Sequence, residues 1–138
     1  MRGEANAVTA LVERLEARSA MSAASAERHP DLFVREVAKC RVASYQLAIR
    51  DAGELLLRQD AEGVRLLVER VEGSWSLFAF MAQSDPDPIR SEMARARAAT
   101  CSVVLGDIYE ILVHLFEKGT RQRAQSCVPL TLGDGADE

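Results

Sequence analysis

The chain has 138 residues, a formal net charge of −4 and a composition that is 48% hydrophobic but only 5% aromatic. This length and apolar content favour one domain with an aliphatic core, and they exclude disorder as the main state. The negative charge argues against nucleic acid or anionic lipid as a partner. No stretch reaches the roughly 20 apolar residues that a membrane-spanning helix requires.

Cysteine usage and the amino-terminal segment both favour a reducing compartment. Cys40, Cys101 and Cys127 are widely spaced and odd in number, which fits neither a disulfide framework nor a zinc site. Glu4 and Glu13 interrupt the apolar run that a signal peptide would need. We therefore expect a cytoplasmic protein without a cofactor.

Two helices are predicted in the first half of the chain. Residues 4–25 form the first, because Leu11 and Leu15 belong to a set of apolar residues at the spacing of one helical face. Residues 32–57 form the second, and Asp31 is placed to cap its first turn. This second helix carries apolar residues on several faces, which is typical of a helix in the centre of a bundle.

A third helix follows a turn at Asp60, which we expect to be its cap. Its apolar residues form the cleanest stripe in the chain, and charged residues occupy the opposite side. The stripe consists of Val64, Leu67, Val68, Val71, Trp75, Phe78 and Ala82.

The fourth predicted helix begins at Pro88, after a segment with two prolines and two aspartates that interrupts any helix, and Asp87 is placed to cap it. We expect it to end at Lys118, with Gly119 as the stop. Residues 1–119 would then form a single all-α domain, an antiparallel bundle of about four helices. Residues 120–138 are predicted to be a short, flexible and disordered tail.

The second half of the fourth helix is apolar over most of its circumference. A helix that covers only one side of a core carries an apolar arc of about 100°, and this arc is wider. The pattern therefore predicts that the helix also contacts another chain. The predicted partner-binding residues are Val104, Leu105, Ile108, Tyr109, Leu112 and Phe116.

One narrow polar stripe remains on that helix, formed by Asp107, Glu110 and His114. These side chains share one face and are the best candidates for metal ligands in the chain. Their spacing occurs once, however, without the second copy that helical di-iron bundles use. We favour a solvated strip in which Glu110 and His114 form an ordinary side-chain pair.

Other residues capable of chemistry are sparse. Only two histidines could serve as a base. His29 lies in the connection before the second helix, and His114 lies 13 residues after Cys101 on the fourth helix, too far along it to meet that thiol, so we expect no enzymatic activity. Arg41 falls on an inward-facing row of the second helix, next to Tyr45. We favour an Arg41 side chain that extends to the surface; the alternative is that Arg41 and Tyr45 line a ligand pocket.

These patterns favour a non-enzymatic interaction protein. It would be a homodimer, a small chaperone, or a regulator or adaptor whose apolar helical surface receives a partner helix. Small bacterial export chaperones, including flagellar ones, are similar in architecture, although no motif here matches theirs. The alternative is a bundle that binds a small molecule or a metal, as a sensor or a minor enzyme.

Overall fold

The structure, a computed structural model, describes the backbone of residues 2–57 and 60–126 and the side chains of residues 7–57 and 60–112. These residues form four α-helices and no strand, which confirms the all-α prediction. The helices are α1 (Arg2–Arg28), α2 (Leu32–Leu55), α3 (Ala61–Ser84) and α4 (Pro88–Ser126). No more than five residues separate consecutive helices, so neighbouring helices run antiparallel.

Aspartates open three of the helices, as the sequence predicts. The Asp31 carboxylate accepts hydrogen bonds from the backbone N–H groups of Phe33, at 2.8 Å, and Val34, at 3.2 Å. Asp60 accepts one from the Gly63 N–H at 2.9 Å. Asp87 accepts one from the Ile89 N–H at 2.9 Å. Each carboxylate satisfies amide groups that the first helical turn leaves without an internal partner.

The predicted end of α4 is wrong, because the helix continues through Gly119 to Ser126. A glycine costs only about 1 kcal/mol inside a helix, so one glycine without a following proline does not stop it. With 39 residues, α4 is roughly 58 Å long. Residues 120–126 thus belong to the helix, and the rest of the predicted tail, residues 127–138, lies outside the described residues.

The bundle consists of two helical hairpins, and one helix of the second hairpin, α4, lies at its centre. α1 packs mainly on α2, and α3 packs mainly on α4. α4 also contacts α1 and α2, so it occupies the central position that the sequence pattern suggests for α2. α2 and α3 touch each other little. A groove therefore separates α2 from α3, with α4 as its floor.

The core lies at one end of this bundle. Its large, fully buried side chains come from the first half of α1, the first half of α3 and the middle of α4. They are Leu11, Leu15, Val64, Leu67, Val104, Ile108 and Leu112. At the other end, the buried apolar residues are alanines, namely Ala38, Ala82, Ala94, Ala96 and Ala98. No helix in the described ranges combines the length and apolar character needed to cross a bilayer.

Gly63, at the start of α3, is required by the close approach of α2. A Cβ atom at this position would lie 2.3 Å from the carbonyl oxygen of Leu55. We expect Gly63→Ala to lower the free energy of unfolding by about 1–3 kcal/mol, because the two helices must move apart. The measurement is urea denaturation followed by circular dichroism.

Gly53→Ala is the matched control, since nothing lies within 4 Å of a Cβ atom at that helical position. It should raise the free energy of unfolding by about 0.5–1 kcal/mol. Equal stability of the two alanine variants would contradict the close approach at Gly63.

Candidate functional site

The structure corrects the predicted partner surface on α4. Val104, Ile108 and Leu112 are at most 1% exposed and lie in the core of the chain itself. They are therefore not available to a partner in this fold. Leu105 is half-buried and Tyr109 is 43% exposed, so these two remain accessible. The side chain of Phe116 lies outside the described residues.

The wide apolar arc of α4 has an explanation within the chain. Because α1, α2 and α3 all pack on this helix, most of its circumference is covered by its own bundle. Part of the seam between α3 and α4 remains exposed. There Trp75, itself 43% exposed, and Leu105 line an open cleft of about 390 Å³ together with Glu72, Ser76 and Ser102.

The polar stripe of α4 is occupied by arginines from α1. Arg18 donates to both carboxylate oxygens of Asp107, from Nε at 2.6 Å and from a terminal nitrogen at 2.9 Å. Arg14 donates to Glu110 at 2.8 Å and to Asp107 at 3.4 Å. Asp107 is only 3% exposed, so this is a partly buried ionic cluster that joins α1 to α4.

This cluster leaves Asp107 and Glu110 poorly suited to bind a metal, because their oxygens already accept hydrogen bonds from guanidinium groups. The His114 side chain lies outside the described residues. Among residues 7–57 and 60–112, no three His, Cys, Asp or Glu side chains are grouped to hold a metal ion. The contacts also show that Asp107 faces α1, which the helical spacing does not reveal, while the Glu110 side chain is 67% exposed.

Arg41 and Tyr45 differ in their exposure to solvent. Arg41 is exposed, as the favoured interpretation of the sequence has it, while Tyr45 is 7% exposed and belongs to the core. Burial raises the pKa of the Tyr45 hydroxyl above its ordinary value, and the nearby Arg18 charge acts in the opposite direction. Neither residue lines the groove between α2 and α3.

That groove, here called the α2–α3 groove, is lined by residues of α2, α3 and α4. Its inner part is a small cavity of about 20 Å³, room for about one water molecule, lined by Leu47, Val71 and Phe78 among others. Its outer part is an open cleft of about 250 Å³. The lining residues of the cleft are Cys40, Phe78, Met81, Asp85, Arg90, Met93, Ala94 and Arg97.

Arg97 crosses the α2–α3 groove from its floor. The guanidinium carbon lies 4.3 Å from the centre of the Phe78 ring on α3, and Nε donates to the Ser44 hydroxyl on α2 at 3.1 Å. On the α2 side, Arg97 also borders a second open cleft of about 470 Å³, with Leu47 and Arg50. The Arg97 side chain thus lies between α2 and α3 where these two helices do not contact each other directly.

Arg97 forms no ion pair with any carboxylate of the described residues. By contrast, Arg95, two positions earlier, pairs with Glu92, and Arg90 pairs with Asp85 at 3.0 Å. A half-buried guanidinium that contacts a hydroxyl and a ring retains donors for an acidic group. The groove therefore combines apolar walls with one available positive charge.

Nucleophilic chemistry in the groove is not favoured. Burial raises the pKa of the Cys40 and Cys101 thiols, although the Arg97 charge partly opposes the shift. Little thiolate is present at neutral pH when the pKa of a thiol is raised. The Arg90 side chain holds the pKa of Asp85 below its usual value by hydrogen bonding, so this carboxyl is no general acid. The arrangement is suited to binding.

Comparisons of the chain with models of protein families, with curated proteins and with solved structures found no match.

Proposed function

We propose that the protein is a non-enzymatic, homodimeric interaction protein of the cytoplasm, a small chaperone, regulator or adaptor, that holds a partner helix in the α2–α3 groove. The observation that best supports this proposal is the environment of Arg97. Its guanidinium is half-buried between apolar walls and has no carboxylate partner among the described residues. An occupant of matching chemistry is an amphipathic helix with an apolar stripe and at least one acidic residue beside it.

The shape of the groove supports a helix as the occupant. A helix laid over Arg97 along the mouth of the groove would contact the side chains of α2 and α3 that border the two open clefts on either side of Arg97. Met81, on the wall of the groove, is 38% exposed, and methionine adapts to varied apolar partners. A helix in this position would cover these apolar walls.

Photo-crosslinking in the host organism tests the proposal. A photoreactive phenylalanine analogue replaces Met81, near the end of α3. The control carries the same analogue at Leu57, which is 78% exposed and lies just after the end of α2, close to the start of α3. We expect a defined protein to be crosslinked from position 81 and not from position 57. Crosslinking of the same proteins from both positions, or of none, would overturn the proposal.

Once the crosslinked segment is known, Arg97→Gln measures the contribution of the charge. We expect at least a tenfold weaker affinity for a synthetic peptide of that segment, because its acidic side chain would lose a partly buried partner. Arg95→Gln is the matched control, since Arg95 pairs with Glu92 on the surface. Isothermal titration calorimetry at two salt concentrations makes the measurement, and equal affinities of the two variants would remove Arg97 from the site.

A second function draws on the same cleft. A small apolar carboxylic acid would satisfy Arg97 while contacting Phe78 and Met81. A small ligand is normally enclosed in a pocket of about 300–1,000 Å³, whereas this cleft is open and measures about 250 Å³. A docked helix needs an exposed surface rather than an enclosed volume, so we place the small-molecule function second. Native mass spectrometry separates the two, because a bound acid adds a small defined mass to the protein.

A further inference from the structure

The second open cleft beside Arg97, of about 470 Å³, is bordered by two arginines. Four of its bordering residues lie on one face of α2, and Arg97 reaches it from α4. The five described residues at its border include no acidic one. They are Ala43, Gln46, Leu47, Arg50 and Arg97. We call this space the Arg50–Arg97 cleft. An anion that enters it meets two positive charges and no negative side chain among these five.

Arg97 is held at this cleft by contacts that leave its charge uncompensated. Its Nε donates to the Ser44 hydroxyl at 3.1 Å, and its guanidinium carbon lies 4.3 Å from the centre of the Phe78 ring. Neither partner is charged. The N–H groups on the two terminal nitrogens remain for an acceptor. Because these contacts already fix the side chain, an anion that binds it pays little additional ordering entropy.

Arg50 also lacks an acidic partner, although Glu54 lies four residues ahead on the same helix. This spacing is one at which side chains of opposite charge can pair. Here Arg70 of α3 contacts Glu54 at 3.5 Å and the buried Asp51 at 3.0 Å. Arg50 itself forms no ion pair with any carboxylate of the described residues. The acidic groups nearest to Arg50 in the sequence are thus engaged by another arginine.

The two charges of the cleft favour a doubly charged anion. A carboxylate carries a single charge, which one guanidinium can match. A phosphate monoester carries about 1.5 to 2 negative charges at pH 7 and three strong acceptor oxygens, so it can use both guanidinium groups. Gln46 adds a side-chain amide, one N–H of which donates to the Ser19 hydroxyl at 2.9 Å while the other remains. The cleft therefore offers several donors to one phosphate group.

We propose that the Arg50–Arg97 cleft binds a phosphate monoester, with Arg50 and Arg97 on its oxygens and the Gln46 amide beside them. This goes beyond the proposed function, because Arg50 and Gln46 do not border the cleft that contains Met81. Two sources carry this chemistry. One is a phosphorylated side chain on the proposed partner helix, which rests on the proposed function. The other is a small phosphate ester, which needs no partner protein.

Titration of the protein with inorganic phosphate at neutral pH tests the site, followed by NMR of the arginine Nε–Hε signals. Phosphate is raised to about 50 mM while sodium chloride keeps the ionic strength constant. We expect the signals of Arg50 and Arg97 to shift along one binding curve, with a dissociation constant on the order of 1 mM. The Arg95 signal is the internal control and should not follow this curve, because Arg95 pairs with Glu92.

Arg50→Gln removes one charge from the cleft without breaking an ion pair within the fold. Read from the Arg97 signal, the affinity for phosphate should fall by roughly fivefold or more. Arg95→Gln is the matched control and should leave the affinity unchanged. Acetate, which carries one charge, should bind at least about tenfold more weakly than phosphate. Equal affinity for the two anions would overturn the assignment to phosphate.

Two esters identify the source of the phosphate group. Tighter binding of a capped phosphoserine tripeptide than of inorganic phosphate would support a phosphorylated protein. Tighter binding of ribose 5-phosphate would support a small ester. Weaker binding of both would overturn the proposal of a monoester, since the cleft would then have no room for the esterified group.

The absence of a shift at Arg50 up to about 50 mM phosphate, or an Arg50→Gln protein with unchanged affinity, would overturn the site itself. None of these outcomes bears on the partner helix, because crosslinking from Met81 tests the other cleft.

Discussion

Leu112→Asp is expected to abolish folding. The Leu112 side chain is 0% exposed and belongs to the core of the chain. A carboxylate at this site would be buried without a partner, at a cost comparable to the whole stability of a domain of this size. Leu112→Ala, which only removes volume, should lower the free energy of unfolding by about 2–5 kcal/mol. Far-UV circular dichroism and urea denaturation measure both effects.

Tyr109→Asp is the control on the same helix, since Tyr109 is 43% exposed. Its free energy of unfolding should change by less than about 1 kcal/mol. A folded Leu112→Asp protein with an unchanged denaturation midpoint would show that Leu112 faces a partner, as the sequence pattern predicts. The pair of variants therefore decides between a core and a partner surface around Leu112 in the middle of α4.

The width of an apolar arc reports how many neighbours a helix has, but not which chain supplies them. The arc of α4 is wide because three helices of the same chain pack on it. Helical periodicity contains no information on how α1, α2 and α3 are arranged around α4, since that depends on contacts distant in sequence. The pattern thus identifies α4 as an extensively packed helix and cannot assign its neighbours.

Local signals, by contrast, predict the helix starts well. Asp31, Asp60 and Asp87 cap their helices through carboxylates that reach amides two or three residues ahead, a contact set by the chain itself. The end of α4 shows the limit of such signals, because Gly119 alone does not outweigh the continuing helix. A stop requires a second feature, such as the prolines that follow Ser84 at the end of α3.

An acidic residue three or four positions away offers an arginine a partner within its own helix. Arg65 and Arg95 have glutamates three or four residues away on their own helices and pair with them. Arg18, Arg70 and Arg97 have no acidic residue at these spacings. In the structure Arg18 and Arg70 reach aspartates of other helices, and Arg97 reaches a hydroxyl and a ring.

The absence of a local partner therefore marks an arginine as a candidate for a long-range contact. By that criterion Arg97 can be recognised from the sequence as different from Arg95, although its place in the α2–α3 groove cannot. The same holds for Asp107, which has no cation three or four residues away. Its partners lie on α1, at the other end of the sequence.

Asp107→Ala is expected to loosen α1 from the bundle. It removes the carboxylate that accepts two hydrogen bonds from Arg18 and one from Arg14. Breaking a buried ion pair costs about 3–5 kcal/mol where the remaining charge stays buried. Here the arginine side chains are 38% and 39% exposed and can regain water, so we expect a loss of about 2 kcal/mol in the free energy of unfolding.

Glu110→Ala is the matched control on the same stripe. Glu110 also pairs with Arg14, but its side chain is 67% exposed, so its removal should cost less than about 0.5 kcal/mol. Hydrogen exchange should then show faster exchange throughout α1 in Asp107→Ala and not in Glu110→Ala. Equal stability of both variants would mean that the cluster does not hold α1 in place.

A double-mutant cycle tests whether the loss of stability comes from the pair formed by Arg18 and Asp107, which share two hydrogen bonds. Arg18→Ala leaves the 3%-exposed Asp107 with only the longer contact to Arg14 at 3.4 Å, so this single variant should be about as destabilised as Asp107→Ala. The double variant should be little worse than either, because no unpaired buried charge remains. Additive losses would instead show that Arg18 and Asp107 stabilise the fold independently, and α1 would then depend on Leu11 and Leu15 for its docking.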